Sequence, residues 1–282
     1  MSSRRQARGI VPRKSLGQNF LTDDATARRI VEAAEIERDD LAFEIGPGTG
    51  ALTVHLVERA GWVVAIELDQ ALIPVLQDAL GEARNITVVH GDALEVDFAG
   101  LVREAERAFG RPFKAIRFVA NLPYYITSAA IRRILECGLP IATIVLTVQT
   151  EVAERVTAQP PNMSLLAVSV QFYGRPELLF KIPPSRFYPQ PEVESAVLRI
   201  RPHAQPPDIG AQAFFRVVKA GFSQPRKQLR NTLAAGLGLN KAQVEAILMQ
   251  SGIEPGRRAE TINVEEWKEL TKIFMSIKKS VA

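Results

Sequence analysis

Short apolar runs rich in β-branched residues alternate along this chain with longer stretches whose apolar positions recur every three or four residues. The runs Leu41–Ile45, Trp62–Glu67, Ile86–His90, Ala115–Ala120 and Ala142–Val148 predict strands. The stretches Ala51–Ala60, Gln70–Leu80, Leu101–Phe109, Ser128–Cys137 and Glu151–Ala158 predict helices, with Asp69 as an N-cap. Repeated strand–helix units of this length predict an α/β domain, an open and mostly parallel sheet with helices on both faces. Two further runs, Glu177–Ile182 and Ser195–Ile200, have no full helix between them and predict antiparallel strands at the sheet edge.

The β pattern stops at PHAQPPDIG (202–210), whose three prolines and glycine make a linker composition. Beyond it Phe214–Gly221, Lys227–Ala235, Ala242–Gln250 and Val264–Ile277 have helical periodicity. The expected organisation is a flexible basic arm over 1–21, an α/β domain over 22–204 and a small α-helical domain over 205–282, with the first helix starting at Thr22–Asp24.

Apolar residues at 46% and charged residues at 23% give an ordinary globular mix, which argues against a disordered chain. The lone cysteine, Cys137, excludes an internal disulfide and a cysteine-only metal site, and fits a reducing compartment. The apolar run Ile141–Val148 is far shorter than the roughly 20 residues that cross a bilayer. The basic N-terminus lacks the apolar stretch of a secretory signal. The expectation is a cytoplasmic protein with no membrane partner, a monomer.

A net charge of +4 says little, but its distribution says more. Before Asp23 stand Arg4, Arg5, Arg8, Arg13 and Lys14 with no acid. Between Asp208 and Glu245 stand Arg216, Lys219, Arg226, Lys227, Arg230 and Lys241, again with no acid. Two acid-free basic segments suit a polyanion or a solvated basic face. For a polyanion, Arg226, Lys227 and Arg230 are the candidate phosphate contacts, spaced to share one side of a helix.

EIGPGTG (44–50) joins a strand to a helix, and Gly46 and Gly48 allow a ligand close to the backbone. Glu67 ends the next strand, where an acid can accept both hydroxyls of a ribose. Gly46, Gly48 and Ala51 satisfy a dinucleotide fingerprint, while Glu44, Gly46, Gly48 and Gly50 satisfy the acid-x-G-x-G-x-G loop of S-adenosylmethionine sites. Downstream residues favour the second. Asp92, in GDAL (91–94), ends the third strand and can accept from a cofactor's adenine amino group.

NLPY (121–124) follows the fourth strand at the sheet end where ligands bind. An exocyclic amine is a poor nucleophile because its lone pair is delocalised into the ring. Two acceptors holding its hydrogens turn that lone pair toward a methyl donor. The Asn121 side-chain oxygen and the Leu122 carbonyl can be those acceptors. Pro123 restricts Leu122 to an extended backbone, and Tyr124 offers a flat face to the base. No metal is required. In RFYPQPEVES (186–195) Phe187 is a candidate to stack on the opposite face of a flipped adenine; the alternative is an aromatic plug.

On these motifs the sequence resembles the bacterial small-subunit (16S) ribosomal RNA adenine dimethyltransferases. KSLGQNFL (14–21), EIGPGTGALT (44–53), AIELDQ (65–70), GDAL (91–94), NLPYYITS (121–128), QTEVAERV (149–156), F-x-P-x-P-x-V-x-S (187–195) and RKQLRNTL (226–233) carry the resemblance. It implies a Rossmann-like class I methyltransferase sheet and transfer from S-adenosylmethionine to the 6-amino groups of two adjacent adenines near the 3′ end of small-subunit rRNA. It also implies rRNA or an immature small ribosomal subunit as partner. The family's cofactor contacts fall on Asn19, Leu21, Gly46, Glu67, Asp92 and Asn121. QPPNMSLL (159–166) and Pro225 depart from the family's usual residues. Three rivals remain: the macrolide-resistance enzymes acting on large-subunit rRNA, which share the glycine loop and an N-x-P-[YF] motif, a non-catalytic assembly factor on the same fold, and a dehydrogenase.

Overall fold

The computed structural model of the chain describes residues 11–205 and 207–281. The elements run β1 (Phe20–Leu21), α1 (Asp24–Ala33), β2 (Leu41–Ile45), α2 (Thr53–Arg59), β3 (Trp62–Glu67), α3 (Ile73–Leu80), β4 (Ile86–His90), α4 (Phe98–Phe109), β5 (Ile116–Asn121) and α5 (Thr127–Leu135). They continue with β6 (Ile141–Gln149), α6 (Thr150–Thr157), α7 (Leu165–Tyr173), β7 (Gly174–Ile182), β8 (Phe187–Tyr188), β9 (Ser195–Pro202), α8 (Ala211–Phe222), α9 (Leu229–Leu237), α10 (Lys241–Gln250) and α11 (Val264–Val281).

The main sheet has the order β4-β3-β2-β5-β6-β9-β7. The first five strands are parallel, and β9 runs antiparallel to β6. Strands covered on both faces need side chains that are apolar throughout, and β2 (LAFEI) is buried at all five positions. Its single acid, Glu44, therefore stands out. Phe43 and Phe118 stack at 4.8 Å on neighbouring strands, and Phe98 of α4 meets both edge-on at 5.5 and 5.2 Å. Chain order reverses between β2 and β5, so the carboxyl ends of these two strands form the crevice where open α/β sheets bind ligands.

The predicted flexible arm needs correction. Residues 1–10 lie outside the described residues, but Lys14–Leu16 forms a turn of 3₁₀ helix, and Phe20 and Leu21 pair antiparallel with Tyr188 and Phe187. Phe20 and Leu21 are buried, so apolar burial holds in place a segment that has no periodicity of its own. Helix α1 starts where its cap lies: the Asp23 carboxylate accepts from the Thr26 N–H at 3.0 Å.

The chain divides into two compact units, and the division differs from a single boundary at 205. The sheet unit comprises the residues up to Ala153 together with Pro176–Pro202, and the helical unit comprises Glu154–Arg175 together with the chain from His203 onward. Met163, Ala167, Val168 and Phe172 enter a core with Phe214, Leu229, Leu248 and Trp267, and Phe172 stacks on Phe214 at 4.1 Å. The sequence pattern predicts no helix at α7 because LLAVSVQFY is apolar nearly all round, which erases helical period. Ser164 caps this helix through the Ala167 N–H.

Candidate active site

The crevice between β2 and β5 opens into a cavity lined by the glycine loop, the ends of β3 and β5, the GDAL turn and residues 16–21. It brings together Asn19, Leu21, Gly46, Glu67, Asp92, Asn121, Leu122, Pro123 and Tyr124.

The glycine loop is held by the acid it precedes. Gly46 and Gly48 take φ of +67° and +56°, a region that side chains disfavour. A side chain at Gly48 would also meet the Phe20 ring at 3.1 Å. The Gly48 N–H donates to one Glu67 carboxylate oxygen at 3.0 Å, and the Asp69 N–H donates to the other at 2.8 Å. Each oxygen keeps a second lone pair, so Glu67 is fixed in place and can still accept a hydroxyl at each oxygen. Burial raises its carboxyl above the ordinary range, with the backbone donors opposing the shift.

Glu44 lies behind the loop, 1% exposed, and its Oε2 has no hydrogen-bond partner. Burial, with the nearby Glu67 adding to it, pushes this carboxyl up to about 8. A buried acid with one oxygen unpartnered, beside a second acid, suits a ligand that brings positive charge. Asp92 spends one carboxylate oxygen on the Leu94 N–H at 2.8 Å, the turn bond expected of a loop aspartate, and leaves the other for a ligand.

At the end of β5 the Asn121 amide nitrogen donates to the Asn19 carbonyl at 2.9 Å. A carbonyl can only accept, so this contact assigns the amide: nitrogen on Asn19, oxygen free. Pro123 at φ −57° and ψ 133° turns the chain into a 3₁₀ turn at Tyr124–Ile126. The Tyr124 hydroxyl meets the Ser195 hydroxyl at 2.8 Å, and burial raises the phenol's pKa. Arg133 of α5 donates to the Leu94 and Val96 carbonyls at 3.1 and 2.8 Å, tying the GDAL turn to the helix that follows NLPY.

Two expectations change. Phe187 does not line the cavity; it is 5% exposed and packs in the core with Leu21, Ile30 and Val197, the plug alternative. Arg226 and Lys227 precede α9 in an exposed turn, while Arg230 lies on the helix and pairs with Glu245 at 3.0 Å, so the three do not share a free helix face. Residues that sequence reasoning passed over are Glu44 beyond its place in the loop pattern, Gln18, Ser195 and Arg133. Glu44 carried a signal, an acid inside an apolar strand; the others depend on contacts distant in sequence. Among the described residues no cluster of His, Cys, Asp and Glu could hold a metal.

Residues 11–276 match the profile of the ribosomal RNA adenine dimethylases. The chain belongs to that family. It is 44% identical over 273 residues to a protein of Pelotomaculum thermopropionicum named ribosomal RNA small subunit methyltransferase A, covering 95% of this chain and 92% of the relative. A protein of the same name from Dehalococcoides mccartyi is 42% identical, covering 93% of this chain and 88% of the relative. Among solved structures, the 23S rRNA methyltransferase ErmE superposes with a TM-score of 0.71 at 31% identity, over 90% of this chain and 99% of that one. A dimethyladenosine transferase from Plasmodium falciparum shares the fold, with a TM-score of 0.76 at 22% identity over 92% of this chain and 98% of that one. Membership removes the dehydrogenase as a rival.

Proposed function

We propose that this chain dimethylates the 6-amino groups of two adjacent adenines in a loop near the 3′ end of small-subunit rRNA, within a small ribosomal subunit still being assembled, with S-adenosylmethionine as donor. The observation that carries the chemistry is the Asn121 amide. With its nitrogen spent on Asn19, its oxygen can accept one hydrogen of the target amine. The Leu122 carbonyl takes the other hydrogen, which turns the nitrogen lone pair out of the ring plane. Tyr124 stacks on the base and Ser195 holds the ring in place.

Glu67 receives the ribose hydroxyls, Asp92 the adenine amino group, and Gly46 gives the donor's backbone-side approach. When bound, S-adenosylmethionine supplies a methyl already activated on a sulfonium. Orientation and exclusion of water are then the protein's contribution. The small-subunit substrate is favoured over a large-subunit one by identities of 44% and 42% to small-subunit relatives, against 31% to the 23S enzyme. The exposed Arg226 and Lys227 are candidate phosphate contacts.

The test is methyl transfer to naked rRNA, immature small subunits, mature small subunits and large subunits, with the modified bases mapped. Dimethyladenine at paired positions near the small-subunit 3′ end, strongest on immature particles, is expected. Transfer to large-subunit rRNA alone would replace this reading with the macrolide-resistance one.

A further inference from the structure

The segment before β1 closes one wall of the cavity, and beyond the β1–β8 pairing a buried acid also holds it. Asp69, 3% exposed, accepts from the Gln18 side-chain N–H at 3.0 Å through Oδ2 and pairs with Arg13 at 3.0 Å through Oδ1. Gln18 Oε1 in turn accepts from the Arg13 backbone N–H at 2.8 Å. Both ends of the Gln18 amide are thus fixed. The next residue, Asn19, presents the carbonyl that takes the Asn121 amide nitrogen at 2.9 Å. On its other side, the Asp69 backbone N–H holds Glu67 at 2.8 Å.

A continuous line of bonds therefore runs from Glu67 through Asp69 and Gln18 to Asn19 and Asn121. We propose that Gln18 and Asp69 are positioning residues for methyl transfer: they fix the Asn19 carbonyl where it takes one amide hydrogen of Asn121 and commits the Asn121 oxygen to the target amine. Without that carbonyl the amide is free to rotate, and in half of its orientations it presents N–H donors to an amine whose hydrogens need acceptors. Asp69 has two local duties, capping the turn at Gln70–Leu72 through the Ala71 N–H and holding Glu67, and neither requires the bond to Gln18. This inference rests on the reading that Asn121 holds the target amine.

The polarity of the Gln18–Asp69 bond gives the test. Gln18→Glu sets two acceptors against each other; Asp69→Asn sets two donors against each other or breaks the cap. The double variant Gln18→Glu/Asp69→Asn restores one bond with donor and acceptor exchanged, and still leaves an acceptor for the Arg13 N–H. Single-turnover transfer to immature small subunits is measured in the full chain at saturating S-adenosylmethionine, with donor affinity and melting temperature measured separately. Each single variant is expected to lose about ten-fold or more in the saturated rate. The double variant is expected to recover most of it. Gln18→Met removes both amide bonds without adding charge, and shows the same loss should a charged variant fail to fold.

A parental saturated rate in folded Gln18→Glu or Gln18→Met, or a folded double variant that recovers nothing, overturns the proposal. Loss of donor affinity alone also overturns it, because residues 13–19 would then be only a cofactor wall. Asn121→Ala runs alongside. If it transfers at the parental rate, the reading of the site fails. If it is disabled while the Gln18 variants are normal, only the positioning role fails.

Discussion

The Tyr124 hydroxyl lies 2.8 Å from the Ser195 hydroxyl, joining the last residue of NLPY to the last residue of the F-x-P-x-P-x-V-x-S motif, on the first residue of β9. Ser195 is fully buried and has little room to move. The two motifs that mark the sequence are therefore joined in one support, with the Tyr124 ring as the proposed stacking surface. Tyr124→Phe keeps the ring and loses one hydrogen bond, a change of about 1 kcal/mol in stability with transfer largely retained. Tyr124→Ala loses the stacking face, worth about 1–3 kcal/mol per base, so transfer at subsaturating rRNA should fall about ten- to a hundred-fold. Equal rates for the Phe and Ala variants would remove the ring from base binding.

Asn121→Ala deletes the proposed acceptor for the target amine and the observed donor to Asn19 together. Single-turnover transfer should fall by about a hundred-fold or more, since a misplaced reactant at a catalytic centre costs on that order. The circular dichroism spectrum should stay unchanged, because Asn121 ends its strand and sits partly exposed.

Glu67→Ala removes the proposed acceptor of two ribose hydroxyls, each bond to a charged group contributing about 1.5–3 kcal/mol. Donor affinity measured by calorimetry should drop by at least about ten-fold. The Gly48 N–H also loses its partner, so the glycine loop should exchange its amide hydrogens faster. An unchanged affinity in a folded variant would place the ribose elsewhere.

The buried Glu44 gives a pH dependence with a definite sign. Its carboxyl titrates near 8 in the fold, against 4.5 for an unconstrained glutamate. Between those two values the folded chain holds a proton that the unfolded chain has released, so this group's contribution makes stability fall as pH rises. The fall levels off above about 8, and its full extent is up to roughly 5 kcal/mol. Glu44→Gln keeps the shape and cannot ionise. Without ligand, its melting temperature should therefore exceed the parent's at pH 9 by more than at pH 5. A constant difference across that range would show that Glu44 is not protonated in the fold.

Arg226 and Lys227 are exposed, whereas Arg230 is paired with Glu245. Neutralising the first two should lower the slope of log affinity for rRNA against log salt by about 1.4, the release expected for two phosphate contacts on a single strand. Arg230→Ala should change that slope less and cost up to about 1 kcal/mol of stability through the lost surface pair. Identical slopes for all three proteins would move recognition away from this turn.

The parallel strands were legible because burial on both faces leaves long apolar runs, and NLPY and the glycine loop were legible because their chemistry constrains residue type. Phe187 was less legible for a related reason: an aromatic between prolines has the same pattern as a stacking platform and as a plug, and its packing beside Leu21, Ile30 and Val197 depends on contacts distant in sequence. The register of Arg226 and Lys227 failed at a helix boundary, where Gln228 rather than Arg226 precedes the first helical residue. Gln18 and Asp69 lie 51 residues apart, and no local pattern marks a side-chain bond across that interval.

The helical unit is built from two separate stretches of chain. Because Glu154–Arg175 belongs to it, the backbone passes between the two units at three points rather than one. A shortened chain ending at residue 204 would keep α7 and strip its apolar face of Phe214 and Trp267, creating an aggregation-prone surface rather than an independent catalytic module. Exchange of this unit between related genes would likewise need three coordinated junctions to preserve one hydrophobic core. Diversification by substitution within the unit is open to this chain; modular shuffling across a single junction is not.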